Sequence, residues 1–267
     1  MSDSRWRPTV LVQASVALHL LALLALLAAP GQWPWVLAVL VLNHLLIAAT
    51  GLWPRSHWLG SNWTRLPAAA TARREVALTI DDGPDPEVTP QVLDLLDRYA
   101  VKATFFCIGE KVLRHPDLCR EIVRRGHAVE NHSQHHRHHF SLMGSRGMTR
   151  EIAAAQDTLT AVSGQRPLFF RAPAGLRNPF LDPVLHRLGL QLASWSVRGF
   201  DTRIGDAARV KAKLLTGLNA GAILLLHDGN AARSATGKPV ILEVLPELLD
   251  SVAAAQLHTV TLRQALA

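Results

Sequence analysis

The sequence predicts a parallel α/β fold, either a barrel or an open sheet, joined to an N-terminal pair of membrane helices. Three observations lead there. From Pro8 to Pro54 the chain contains not one Asp, Glu, Lys or Arg. Past residue 74, short β-rich runs alternate with helical patterns, which implies parallel pairing through right-handed crossovers. The unusual polar residues of that second part fall at the ends of the β-rich runs, where the loops of such folds converge.

The charge-free part holds two apolar runs, 9–29 and 35–53, each near the roughly 20 residues a spanning helix needs. Pro30, Gly31, Gln32, Trp33 and Pro34 break them apart. The first run exceeds the roughly 7–15 residues of a signal-peptide core and a second follows, so a helical hairpin is expected rather than a cleaved leader. Five of the seven tryptophans (Trp6, Trp33, Trp35, Trp53 and Trp58) lie at the run ends, where interfacial aromatics belong. Gln13, His19, Asn43 and His44 read as polar residues tolerated near the seam between the helices. Arg5 and Arg7 precede the hairpin, and Arg55, Arg65, Arg73 and Arg74 follow it, while the loop between the runs is uncharged. Basic residues mark the cytoplasmic side, so a two-pass inner-membrane protein with its second part in the cytoplasm is expected, the periplasmic side being the alternative. The divisions are 1–54 for the membrane region, 55–74 for a juxtamembrane linker and 75–267 for the α/β domain.

With 267 residues, 49% hydrophobic and 18% charged, the chain is no disordered segment and no disulfide scaffold, and it is long enough for a large core. From Ser61 onward 25 basic residues face 20 acidic ones, without a long basic run, so nucleic acid is excluded as a partner. Cys107 and Cys119 show neither metal nor redox spacing, and Cys107 lies inside an apolar run as a core thiol.

In the second part, strands are expected over 76–80, 103–108, 128–131, 168–171, 192–197, 223–227 and 259–261. Helices are expected over 89–99, 110–125, 149–162, 183–188, 206–218 and 240–255. Asp81 and Asp82 close the first strand and lead into Gly83 and Pro84. His132 and His136 follow the third, Arg171 ends the fourth, Asp201 follows the fifth, and His227 and Asp228 close the sixth. Taken singly, Asp-Asp-Gly-Pro is a good turn sequence, the histidine run 132–139 chelates by density alone, and His227 is a polar cap on a buried strand. The same placement on five strands argues for a site. Adjacent carboxylates and a His-x-x-x-His pair are oxygen and nitrogen donors for one divalent ion, with zinc the natural choice and cobalt, nickel or manganese as alternatives. One carboxylate would bind the ion and the other accept a proton from water.

These segments resemble, in order, the five motifs of the NodB-like polysaccharide deacetylases, carbohydrate esterase family 4. They are Thr79-Ile80-Asp81-Asp82-Gly83-Pro84, His132-Ser133-Gln134-His135-His136, Arg171-Ala172-Pro173-Ala174-Gly175, Trp195 to Asp201, and Leu224-Leu225-Leu226-His227. The resemblance runs from about Glu75 to the C-terminus. It implies a distorted (β/α) barrel and metal-dependent hydrolysis of the N-acetyl group of an amino sugar. By position, Asp81 resembles the general base and Asp82, His132 and His136 the metal ligands. Arg171 resembles the residue that orients the base, His227 the general acid, and Asp201 the carboxylate that tunes it. Leu225, Pro173, Gly175 and Trp195 correspond to substrate-binding positions, with Leu225 against the acetyl methyl. The chain departs from the pattern at Ile80, Arg137, Ala174, Arg198 and Thr202, which leaves the catalytic set whole and thins the groove that faces substrate.

The expected function is a membrane-anchored amino-sugar deacetylase acting on a cell-envelope glycan or on a polyprenyl-linked glycolipid. Short reach from the membrane, with Arg137 and Arg198 near the site, favours the glycolipid. Two other readings are a catalytically idle sugar-binding protein on the same fold, and a membrane-anchored metal-binding protein that uses the whole histidine cluster, His138 and His139 included.

Overall fold

The computed structural model describes residues 6–267, so Arg5, used above for orientation, lies outside the described residues. Two apolar helices, α1 (Val10–Ala28) and α2 (Trp33–Gly51), run antiparallel through a tight 3-10 turn at Pro30–Gln32. Both are long and apolar enough to cross a membrane, and only 11% of each is buried. Their leucines and valines project outward on all sides. At the seam Asn43 Nδ2 donates to Ser15 Oγ (2.8 Å), and the His19 and His44 rings meet edge to face at 5.2 Å. Gln13 turns back instead to the Pro8 carbonyl.

Beyond the hairpin come α3 (Ala68–Ala72), β1 (Glu75–Asp81), α4 (Thr89–Arg98), β2 (Thr104–Cys107), α5 (Gly109–Arg114), α6 (Pro116–Arg124), β3 (Ala128–Asn131) and α7 (Ser145–Ser163). They are followed by β4 (Phe169–Phe170), α8 (Leu181–Leu188), β5 (Gln191–Leu192), β6 (Val197–Arg198), α9 (Ala207–Leu215), β7 (Ile223–His227), α10 (Val240–Ala254) and β8 (His258–Val260). The helix expected over 110–125 is two, because Pro116 has no N–H to continue a helix and so begins a new one. The strand expected over 192–197 is also two. Its first part pairs with β4 and its second with β7, so one bent segment joins the two edges of the sheet.

All pairings in the eight-stranded sheet are parallel, in the order β5-β4-β3-β2-β1-β7-β6, with β8 beside the start of β1. Strand periodicity sorts the side chains into two cores. Leu78, Ile80, Phe105, Leu224 and Leu226 face the outer helices. Ala77, Phe106, Ile223 and Leu225 fill the inside of the curled sheet. The inner parity that buries Ala77 and Ile223 carries on to Asp81 and His227, which are direct neighbours across β1 and β7. The sheet thereby sets a carboxylate and an imidazole side by side at its carboxyl edge.

The expected linker 55–74 is no tether. Leu59, Leu66 and Ala70 are buried. The Trp63 N–H donates to the Leu192 carbonyl and the Trp63 carbonyl accepts from Ser194, which fills the bend between β5 and β6. The Trp63 ring packs edge to face on Phe169 at 5.1 Å rather than lying at a membrane interface. Trp63, Leu66 and Ala70 of this segment complete the inner core, which the sheet alone leaves open at this bend.

Candidate active site

The site lies at the carboxyl ends of the strands, in a cavity of about 530 Å³ lined by Asp81, Asp82, His132, His136, Trp195, Leu225 and His227 among others. Asp82 leaves the end of β1 with φ 73°, and Ser133 and His136 follow β3 with φ 64° and 48°. Ala174, Phe200 and Asn230, on the other loops that line or flank the cavity, are also left-handed. Positive φ costs a non-glycine residue about 1–3 kcal/mol. Its concentration on these loops turns side chains inward that an extended chain would point away.

Asp82 Oδ1 lies 3.2 Å from His132 Nε2 and 3.3 Å from His136 Nε2. This oxygen is buried without a hydrogen-bond partner. Bonds of roughly 2.0–2.1 Å to a tetrahedral ion would separate its donors by about 3.3–3.4 Å, so the three atoms fit one divalent ion. Their protonation fits as well. Burial opposes charge on Asp82, but the imidazoles beside it, His132 foremost, outweigh that and hold its carboxyl well below the usual carboxylate range. Burial, aided by neighbouring His132, pushes His136 down to about 4, so the ring is neutral at pH 7. His132 Nδ1 meets the Arg171 carbonyl at 2.8 Å, which fixes the tautomer that offers Nε2 to an ion. Asp82 Oδ2 accepts from Asn230 Nδ2 at 3.2 Å.

The remaining histidines of the cluster do not join them. His135 meets Glu151 at 2.9 Å, His138 lies on the cavity wall outside the donor triad, and His139 is exposed. Arg137 also departs from its expected place near the site, because Glu151 draws its Nε away to 3.1 Å.

Arg171 is fully buried and reaches Asp81 from below. Its Nη1 donates to Asp81 Oδ1 (2.6 Å) and to Thr79 Oγ1 (2.8 Å), while Nε and Nη2 donate to the Ala193 and Ser194 carbonyls. The guanidinium also rests on the Phe106 ring at 4.1 Å. One oxygen of Asp81 is thus held, and the other stands 3.9 Å from His132 Nε2. Across the cavity Asp201, with no exposed surface, accepts from the His227 N–H (2.7 Å) and meets His227 Nδ1 at 2.9 Å. Burial alone would depress the His227 pKa. The charge and hydrogen bond of Asp201, with help from Asp81 and Asp82, overcome it and raise His227 to about 9.

Of the expected substrate positions, Leu225, Gly175 and Trp195 line the cavity. Pro173 is buried behind the wall, where it opens the 3-10 turn that presents Ala174 and Gly175. Gly175 has φ 74°, and a Cβ there would meet the Trp195 ring at 2.5 Å and Pro54 at 2.8 Å. Gly175→Ala is expected to lower stability by about 1–3 kcal/mol and to displace Trp195, seen as a drop in Tm together with a shift in tryptophan emission. Asp228, which follows β7, accepts from Thr89 Oγ1 at 2.5 Å and ties the end of β7 to the start of α4.

Sequence reasoning missed Asn230, Arg203, Leu176 and Pro54 on the cavity wall. Asn230 carried a faint signal in the turn sequence Asp228-Gly229-Asn230. Pro54 carried none, since nothing in the sequence brings the end of the hairpin to the site.

Fold and site together define the class of NodB-type (β/α) proteins, curled parallel sheets whose polar constellation gathers at the carboxyl strand ends. The polysaccharide deacetylase family matches residues 68–193. Over 166 residues the chain is 37% identical to the chitooligosaccharide deacetylase of Sinorhizobium fredii, covering 61% of this chain and 76% of that one. Over 163 residues it is 37% identical to the peptidoglycan-N-acetylglucosamine deacetylase PgdA of Listeria monocytogenes, covering 61% of this chain and 34% of that protein, so it spans about a third of the Listeria relative's length. Among solved structures, the Bc1960 peptidoglycan N-acetylglucosamine deacetylase superposes with a TM-score of 0.69 at 26% identity, over 77% of this chain and 92% of that one. The chain belongs to the polysaccharide deacetylase family, the NodB-like carbohydrate esterase family 4.

Proposed function

We propose that this protein is a membrane-anchored, metal-dependent hydrolase that removes the N-acetyl group from an amino sugar. The observation that carries the proposal is the pairing of an unpartnered buried Asp82 Oδ1 with two histidine Nε2 atoms, beside a held carboxylate and an Asp201-supported His227. An idle sugar-binding descendant would have no need to keep these groups in register, and a histidine-cluster chelator would not leave His138 and His139 out of the triad.

A divalent ion held by Asp82, His132 and His136 would polarise the amide carbonyl and acidify a water molecule. Asp81, with Oδ1 held by Arg171, presents Oδ2 to take the proton of the attacking water. As the carbonyl carbon becomes tetrahedral and the C–N bond breaks, protonated His227 delivers its Nε2 proton to the departing amine, leaving acetate and a free amino sugar. Asp201 keeps the ring charged and oriented until that transfer. Leu225, one step inside His227 on the same strand face, forms an apolar floor suited to the acetyl methyl.

Support for the anchor is physical. Helices with leucine and valine exposed on every side are stable in lipid and present far more apolar surface to water than a soluble chain tolerates. Arg7 before the hairpin and Arg55, Arg65, Arg73 and Arg74 after it support a reading in which both hairpin ends, and with them the catalytic domain, face the cytoplasm. Metal-loaded full-length protein should release acetate from N-acetylglucosamine oligosaccharides and stop on chelation. Absence of acetate release with metal bound would favour the idle reading.

The pH profile tests the acid. The His227 pKa is raised to about 9, so the productive protonated ring persists through neutral pH and is lost as pH rises through that value. Asp201→Asn removes the charge that opposes burial, so the alkaline limb of kcat/KM should move to lower pH. A limb that stays in place while activity persists would separate Asp201 from the acid.

A further inference from the structure

The catalytic cavity reaches the membrane hairpin directly. Its rim includes Pro54, just past the end of α2, and Leu176. Leu176 is also a wall of a second cavity, of about 440 Å³, between the last turns of α2 (His44, Ile47, Ala48 and Gly51) and the segments that carry Leu142 and Arg177. The two cavities are neighbours across one side chain, and the second flanks a helix that lies within a candidate membrane span. The contact is close because Gly51 permits it. The Arg177 N–H donates to the Gly51 carbonyl at 3.1 Å, and a Cβ on Gly51 would come within 2.2 Å of the Arg177 carbonyl oxygen. Leu142, at the edge of this cleft, is 84% exposed, an arrangement that water disfavours and a hydrocarbon chain satisfies.

Charge makes the cleft specific. Arg177 is 4% exposed and donates one Nη2 hydrogen bond to the Ser56 carbonyl, and among the described residues it makes no ion pair with a carboxylate, Asp182 acting on it only from a distance. Its Nε is buried without a partner. In the catalytic cavity Arg198, half-buried and in the field of Asp201 and Asp81, repeats part of the pattern. It lies 5.3 Å from the Trp195 ring and 4.5 Å from the Phe200 ring, and its Nε is likewise buried and unpartnered. A buried guanidinium with an unused donor calls for an anion, and its planar fork matches phosphate. A guanidinium with an unpartnered Nε stands in each of two adjoining cavities, the half-buried Arg198 beside the metal donors and the buried Arg177 beside the membrane helix.

We propose that the cleft between α2 and the Leu142 and Arg177 segments holds the chain and phosphate of a polyprenyl-type lipid phosphate, whose attached N-acyl amino sugar reaches the metal donors past Leu176 and Pro54. This rests on the deacetylase reading and names its substrate class. A neutral aqueous polymer has no use for an apolar cleft beside a membrane helix, nor for two guanidinium groups whose Nε atoms are buried without a partner.

The experiment uses the full-length protein in lipid nanodiscs and has two arms. In the binding arm, native mass spectrometry follows retention of polyprenyl phosphate, with polyprenol and inorganic phosphate offered separately. Wild-type protein should retain polyprenyl phosphate in preference to both, and Ala48→Trp, which fills the cleft, should weaken retention about tenfold. Leu142→Glu, a change at an exposed side chain, should do the same without a risk to folding. Equal retention by wild type and both variants, or inorganic phosphate held as well as the lipid, overturns the proposal. In the kinetic arm, acetate release is compared between polyprenyl-phosphate-linked N-acetylglucosamine and a soluble N-acetylglucosamine oligosaccharide. The ratio of kcat/KM, lipid over soluble, should favour the lipid and fall about tenfold in either variant. Turnover of the soluble substrate with an unchanged ratio discards the lipid cleft and keeps the deacetylase. Absence of turnover on both substrates discards the deacetylase, and the binding arm still decides on the cleft.

Discussion

His136→Ala is expected to remove the divalent ion and to lower kcat/KM by roughly 10²–10³-fold, the worth of several kcal/mol of charge stabilisation. Asp82 Oδ1 would keep a single nitrogen neighbour, His132 Nε2 at 3.2 Å, and two protein donors do not hold an ion against water as three do. Metal analysis after dialysis reads the first effect and acetate release the second. His138→Ala is the matched comparison, since His138 shares the cavity but not the triad, and it should leave metal content in place. If His136→Ala retained its ion and its rate, the ligand assignment would be wrong. Loss of metal from His138→Ala would revive the wider histidine cluster.

Asp81→Asn is expected to lower kcat by roughly 10²–10⁴-fold while metal content stays near that of the wild type. The substitution keeps the size of the side chain and its place above Arg171 but removes the charge that accepts the proton. Among the buried contacts of this carboxylate, the 2.6 Å bond from Arg171 Nη1 becomes a contact between a cation and a neutral amide. Some of the loss will therefore be orientation. Arg171→Lys separates the two effects. It leaves Asp81 ionised but replaces a planar fork, which bridges Thr79, Asp81, Ala193 and Ser194, with a single ammonium. An intermediate rate is expected for Arg171→Lys, and a rate as low as that of Asp81→Asn would show that positioning dominates.

Much of the site was legible because strand ends advertise themselves. Asp81, Asp82, Arg171 and His227 stand where an apolar run stops, and parity alone predicts that Asp81 and His227 share a face if β1 and β7 pair. The pairing itself, β1 between β2 and β7, cannot be read from local pattern, because it depends on which strands meet in space. The break at Pro116 was readable in principle and was overridden by the apolar periodicity on both sides. The bend between β5 and β6 was not readable, since Ala193 to Ser196 leaves the sheet in order to take Trp63 as a partner more than 100 residues earlier in the chain. Segment 55–74 misled for a related reason. Its apolar residues are too sparse to form a periodic pattern, yet each fills a specific gap in a core built by other segments. The left-handed residues at Ser133 and His136 are a further case, because their conformation is dictated by the site and disfavoured by their own side chains.

The woven segment has an implication for how such a protein can change over time. Because Trp63 and Leu66 complete the inner core, while Pro54 and Gly51 touch the loop carrying Gly175 and Arg177, hairpin and barrel do not behave as interchangeable modules. A barrel cut free at residue 75 would expose the bend between its two bridging strands. A different hairpin spliced on at the same point would arrive without the residues that seal that bend. Hairpin and barrel thus form one packed unit, and substitutions in residues 51–66 should be constrained by partners in the barrel.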